Sequence, residues 1–365
     1  MKSYPLKQMS LEQATQKQFE LVDIMQRVFS SSELLEAGDF GVTRELGRPR
    51  FTAKTERVLA EFFDAEDAAM VREAGTGAIR AALRATLNPG DQMLLHSAPI
   101  YPTTEVTIKS MGFRIVYADY NKLDDVRNAT NREIKAVYIQ RTRQKLDDSY
   151  DMDEVIKAVR STKYNPLVIT DECYAVMRVE KIGVQLGADA SAFSLFKLLG
   201  PTGIGCVVGS SQIISRIRKD HYSGGTQVQG PEAMDALRSI IYAPVMLAIQ
   251  DRVVHEVAER LNKGEVKGVR KAHIANAEER TIHLEFNEPI AEEVARYALK
   301  YGATAHPVGM ESRYDVGVNF YRPSGTARKA DPELIKYVIR INPLRGGPET
   351  IIRILKAALE DAHRG

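Results

Sequence analysis

Cysteine is scarce in this chain of 365 residues: Cys173 and Cys206 are its only two. Two thiols cannot build a disulfide framework, and they lack the spacing of a metal site, so no metal is expected and both are read as buried. Charge of one sign is lacking too. Fifty Lys and Arg against 48 Asp and Glu leave a formal +2, which removes the electrostatic grounds for a nucleic-acid or anionic-membrane partner. No run is long and apolar enough to cross a bilayer, and the opening segment MKSYPLKQMSLEQATQKQ has no apolar signal region, so a cytoplasmic location is expected. Repeats and low-complexity segments are also absent. What is present, 44% hydrophobic and 27% charged residues, is the composition of an ordinary globular protein. The length exceeds what one core usually supports, so a large domain plus a smaller one is expected.

Apolar residues at helical spacing (Phe19, Leu21, Val22, Ile24, Met25, Val28) mark an amphipathic arm from Leu11 to about Phe29. Gly38 to Arg50 reads as loop, and a helix follows over Thr52 to Phe63. Strand signals then alternate with helical ones. Seven strands are expected: Ala69 to Glu73, Met93 to His96, Arg114 to Ala118, Ala136 to Gln140, Val168 to Asp171, Ala192 to Ser194 and Gly205 to Gly209. This predicts an α/β domain with a mostly parallel sheet. Pro231 to Leu261 reads as one or two long helices. Beyond Gly268, strands at Thr281 to Phe286 and Tyr337 to Ile341, with helices at Ile290 to Lys300 and Glu349 to Asp361, suggest a smaller α+β domain. Met310 to Ala330 is expected to be irregular and on the surface. The division reads as an arm and entrance loop over 1–50, a large domain over 51–262 and a small one over 263–365.

Three groups carry chemistry. Ala74, Gly75, Thr76 and Gly77 open the helix AIRAALRATL directly after an apolar strand. Glycine allows close backbone approach to an anion, and the free N–H groups with the helix dipole favour a phosphate; a tight turn packing helix on sheet would use the same residues. Arg80 stands where a Rossmann motif needs glycine or alanine, and a Walker lysine and Ser/Thr are missing, so neither nucleotide motif is met. Asp171 ends the apolar run Pro166, Leu167, Val168, Ile169, at the carboxyl edge where open parallel sheets bind ligands, although a capping or turn aspartate fits the same place. Lys197 follows Ser194, Leu195 and Phe196 and precedes Leu198, Leu199, Gly200, Pro201, Thr202, Gly203. A lysine among apolar neighbours is costly to bury charged and is a candidate for amine chemistry; an edge lysine reaching solvent is the alternative. Ser194 and Lys197 also spell S-x-x-K, but the SDN and KTG partners of the serine acylases are absent.

In this order, on these elements, the three groups resemble the fold-type I enzymes dependent on pyridoxal 5'-phosphate (PLP), the aspartate-aminotransferase superfamily, and within it the YhfS-like group of aminotransferase-class-V fold. The resemblance implies PLP as cofactor, held by Lys197 in an imine, with Asp171 pairing with the ring nitrogen. It implies that Gly75, Thr76, Gly77 and Ser194 hold the phosphate and that Tyr101 stacks on the ring, with His96 as its rival. Gln140 resembles the position that contacts the ring oxygen or the substrate. Arg143, beside Arg141, and Arg340, in the strand Tyr337 to Ile341, suit a substrate carboxylate. Arg340 lies between apolar neighbours, where an internal acid is the alternative partner. The loop Tyr222, Ser223, Gly224, Gly225, Thr226 resembles the segment that reaches a neighbouring subunit's cofactor phosphate, which implies a homodimer or a dimer of dimers.

The expected activity is on an amino acid or amine substrate through an external aldimine, with the released Lys197 moving a proton at the α-carbon. The class V group suggests an aminotransferase, whereas QRTRQ and SGG resemble lyases of the cystathionine and aluminium-resistance type. A PLP-binding regulator or scaffold without turnover is the competing class, and no DNA-binding module accompanies the chain to favour it.

Overall fold

Apolar runs and capped helices assemble as an α/β structure in the computed structural model, which describes residues 3–145, 147–275, 281–325, 328 and 331–364. The chain divides into two compact units. The larger comprises Met9–Thr142 and Ser149–Val245; the smaller comprises Met1–Gln8, Arg143–Asp148 and Met246–Gly365.

The larger unit is built on seven strands: β1 (Asp67–Arg72), β2 (Gln92–His96), β3 (Arg114–Ala118), β4 (Ile134–Gln140), β5 (Leu167–Asp171), β6 (Ala190–Ser194) and β7 (Ile204–Gly209). They lie in the order β1-β7-β6-β5-β4-β2-β3. Pairs among β2 to β6 are parallel, and β7 runs antiparallel to both β1 and β6. Each strand was foreseen to within two residues at either end. Central strands are covered on both faces, so they read as continuous apolar runs rather than as alternation. Every residue of β6 and β7 is buried.

One face is packed by α3 (Ala74–Thr86), α4 (Pro102–Met111) and α7 (Ser211–Asp220), whose Ile79, Leu83, Ile108, Ile213 and Ile217 meet Val71, Leu95, Tyr138, Ile169 and Val207 of the sheet. On the other, α5 (Leu123–Ala129) and α6 (Met152–Arg160) bring Val126, Val155, Ile156 and Val159 against Leu94, Val137, Ile139 and Val168. Helix α6 starts where it does because the Asp151 carboxylate accepts the N–H groups of Asp153 and Glu154, supplying the cap that the first turn lacks. Its Met152, Val155, Ile156 and Val159 then fall on one stripe, and burying each stabilises the fold by about 1.5–3 kcal/mol.

The stretch expected as one or two helices is two: α8 (Gly230–Ile240) and α9 (Ala243–Asn262). Pro244, lacking an N–H, suits the first turn of a new helix and not the interior of an old one. The loop Gly38 to Gly41 is stitched in place: Asp39 accepts the N–H groups of Arg50 and Phe51 at the start of α2 (Arg50–Phe62), and its carbonyl accepts the Gly230 N–H.

The smaller unit holds an antiparallel sheet in the order β10-β11-β9-β8, formed by β8 (Val269–Ile274), β9 (Ile282–Phe286), β10 (Asn319–Tyr321) and β11 (Val338–Asn342). With α10 (Ala291–Ala298) and the closing helix Pro348–Arg364, it buries Ile282, Leu284, Phe286, Val294, Ile339, Ile351 and Leu355. Here the expectation for Met310 to Ala330 needs correction, apart from residues 326, 327, 329 and 330, which lie outside the described residues. Val318 and Phe320 are 2% and 1% exposed, and the short strand β10 pairs with β11, so this segment helps to close the core.

Candidate active site

Register places the site. Gln140 is opposite Asp171 and Asp171 opposite Ala192, so β4, β5 and β6 end together, with Ser194 two residues further along its strand. Helix α3 begins over the same edge. An added Cβ at Gly75 would lie 2.5 Å from Cys173 Sγ and 3.2 Å from Ser194 Cβ, and one at Gly77 only 1.8 Å from the Arg72 carbonyl oxygen. Side chains are therefore excluded at Gly75 and Gly77, and the turn sits directly on the strand ends. The residue before the helix, Glu73, has left-handed φ of 68° and caps no N–H with its side chain. Among the described residues, Ala74 N–H is taken by the Gly203 carbonyl and Gly77 N–H by Glu73. Gly75 and Thr76 lie in the first turn, whose N–H groups have no earlier helical carbonyl to pair with, at the positive end of the helix dipole. Thr76 Oγ1 meets Thr103 Oγ1 at 3.3 Å.

Asp171 is 3% exposed. Its Oδ1 accepts the Cys173 N–H and its Oδ2 the Tyr138 O–H, each at 2.9 Å. Burial pushes its carboxyl above the ordinary value, while these two donors, the Cys173 thiol and the Lys197 charge pull the other way. Burial and the Asp171 charge push the Tyr138 phenol well up, so it stays a donor. Desolvation likewise holds the Cys173 thiol far above its usual value, which rules it out as a nucleophile at neutral pH. Cys206 is fully buried, as expected, whereas Cys173 is only half-buried.

Lys197 sits in a single turn, Phe196–Leu198, whose start is held by Ser194 Oγ accepting the Lys197 N–H at 3.3 Å. It is half-buried, and Nζ lies 3.4 Å from the ring centre of Tyr174, a cation–π contact. Tyr174 has left-handed φ of 66°, a conformation that costs a non-glycine residue. Lys197, Asp171, Ser194 and the Gly75 turn thus converge within one unit.

Other expected residues lie differently. Tyr101 is half-buried immediately before α4, and Gln140 is half-exposed on the strand face of Tyr138. His96 turns to the opposite face from Asp171, where Nδ1 accepts the Tyr120 N–H at 3.0 Å and its ring packs on Tyr120 and Tyr150. Ser223, Gly224 and Gly225 are exposed; Thr226 folds back on the Ser223 carbonyl, and Gly225 shares a hollow with Gly77, Arg80 and Arg84. Arg143 is 5% exposed and donates to the Tyr4 carbonyl. Arg340 is 9% exposed, donates from Nε to the Arg322 carbonyl at 3.1 Å and lies 4.1 Å over the Tyr321 ring. Both arginines belong to the smaller unit. Tyr138, Cys173 and Thr103 were not anticipated. Tyr138 could have been found: it lies two residues before Gln140, on the same face of a strand that ends at the site.

The geometry fits the expected PLP. A buried carboxylate with neutral donors on each oxygen and one lysine charge acting on it suits a ring N–H cation, and a helix start that keeps glycine at 75 and 77 suits a phosphate.

Comparison with known proteins places the chain among relatives. The sequence model of the methionine gamma-lyase family matches residues 7–259, and that of the YhfS-like C-terminal domain matches residues 255–355. The chain is 46% identical to the protein YhfS of Escherichia coli (strain K12) over 360 residues, 98% of this chain and 99% of that one. The crystal structure of that protein, described as pyridoxal-5'-phosphate dependent, superposes with a TM-score of 0.97 at 45% identity, covering 99% and 100% of the two chains. An L-methionine gamma-lyase of Fusobacterium nucleatum subsp. polymorphum is 26% identical over 204 residues, 52% of this chain and 50% of it. The fold is shared with a cystathione gamma lyase of Micromonospora echinospora, with a TM-score of 0.74 at 18% identity over 94% and 98% of the chains.

Proposed function

This chain belongs to the fold-type I PLP-dependent enzymes, in the methionine gamma-lyase family and alongside YhfS, and from that premise we propose that it is a carbon–sulfur lyase releasing a thiol from a sulfur-bearing amino acid. The observation that carries the reading is the gathering, at one sheet edge beneath the first turn of α3, of the buried Asp171, Ser194 and Lys197, whose charge acts on that carboxylate. The choice of lyase over aminotransferase is supported by the family match across residues 7–259.

PLP is the cofactor; when bound it supplies an electron sink for the pair left at the substrate α-carbon. Lys197 would anchor it, and Asp171 would hold the proton on its ring nitrogen. Gly75, Thr76, Gly77 and Ser194 would take the phosphate, with Tyr101 against the ring and Gln140 near its oxygen. The Lys197 Nζ takes the α-proton and returns it along the carbon chain, which satisfies the requirement that the base lie within reach of that proton. Arg340 and Arg143, both of the smaller unit, would suit a carboxylate, and Ser223 to Gly225 would serve the phosphate of a second copy in a homodimer.

The test is to give the PLP-loaded protein L-methionine, L-homocysteine and L-cystathionine separately. A thiol, or hydrogen sulfide from L-homocysteine, appearing together with ammonia and a 2-keto acid and with no second substrate, is expected. Accumulation of pyridoxamine phosphate without thiol would replace the lyase by an aminotransferase. An absorbance unchanged by every amino acid would leave a binding protein without turnover.

A further inference from the structure

We infer that Tyr138 is a positioning residue that sets how strongly Asp171 draws on the proton of the cofactor ring nitrogen. The inference rests on the assignment of Asp171 to that nitrogen. Strands β4 and β5 pair Tyr138 with Ile169 and Gln140 with Asp171, so Tyr138 is diagonal to the carboxylate. A long side chain spans that gap. The phenol reaches Oδ2 at 2.9 Å while the Cys173 N–H holds Oδ1 at the same distance, which fixes the plane of the carboxylate and spends one lone pair on each oxygen.

Tyr138 is 3% exposed and packed in the core between α3 and the sheet, so water cannot replace its O–H. The titratable groups acting on it are Asp171 and Cys173, with Lys197 acting in turn on Asp171. A hydrogen bond to a buried charge withdraws electron density from it and favours the ionised form. Removing this donor makes Asp171 more basic, and the shared proton moves from the ring toward the carboxylate. A ring with less positive charge leaves the cofactor's bond to Lys197 holding its own proton to higher pH.

The experiment follows the visible absorbance of the bound cofactor against pH, with nitrogen NMR of isotopically labelled PLP as a second readout. In Tyr138→Phe the spectral midpoint is expected to rise by about one unit, a tenfold change in the proton equilibrium, and the ring-nitrogen signal to move toward that of the unprotonated ring. A fluorinated tyrosine at position 138, a stronger donor with the packing kept, shifts both in the opposite sense; a residue that only fills space shows no such reversal. Midpoint and signal unchanged in Tyr138→Phe, while Asp171→Asn shifts both, would overturn the role of Tyr138. If Asp171→Asn itself leaves both unchanged, the assignment beneath it falls.

Discussion

Glu56 and Asp171 are both 3% exposed in the larger unit, and burial raises the carboxyl of each, yet their surroundings differ in kind. Glu56 is answered by permanent cations: Arg48 Nε at 2.6 Å and Arg218 Nη2 at 3.2 Å, the latter also gripping Asp67 at 2.7 Å. Asp171 is answered by a phenol, a backbone N–H, a thiol and the charge of one lysine. A guanidinium stays charged under all conditions, so the first acid is complete as folded. The second has only donors that orient it, and its charge is left for a ligand to neutralise. A buried acid given arginines belongs to the architecture; a buried acid given neutral donors marks a binding place.

The contrast can be broken at several points. Lys197→Met removes the charge next to Asp171 together with the proposed base; turnover should fall by about three orders of magnitude or more, and the visible absorbance of lysine-bound cofactor should vanish. Arg218→Met strips Asp67 and Glu56 of their shared partner, and a fall in unfolding free energy of about 3 kcal/mol is expected in denaturant titration, with no change in the wavelength of the bound cofactor. Asp171→Asn should do the reverse, raising the cofactor dissociation constant at least about tenfold while lifting the melting temperature of the cofactor-free protein by about 2 °C. The sign follows from the raised carboxyl. Its contribution to stability is full below the ordinary carboxylate range and is lost as pH rises through the raised value. The advantage of the asparagine therefore grows with pH over that interval and disappears in acid. A constant advantage at all pH would show that Asp171 is not held as described.

Much of this was legible because the informative residues end apolar runs. Asp171 and Lys197 interrupt stretches that otherwise read as buried, and the glycines at 75 and 77 stand where a helix should begin. Tyr138 was hidden by the same logic: inside an apolar strand, a tyrosine reads as one more core residue until its oxygen is seen to have a partner. Strand β8, VRKAHI, exposes the adjacent Arg270 and Lys271 at a register shift between Val269 and Lys271, and β10 is three residues long, so neither shows a period. Which short segments join which unit, as Arg143–Asp148 does with residues beyond Met246, depends on contacts distant in sequence that no local pattern encodes.

Because Ser194 ties down the amide of Lys197, the amine swings on a short tether from a nailed point, and its stem of methylenes sets the radius of the swing. Any carbon lying off that arc goes untouched, however acidic its hydrogen. Selectivity among the bonds of one substrate is then a matter of leverage, imposed before any pocket has read the side chain.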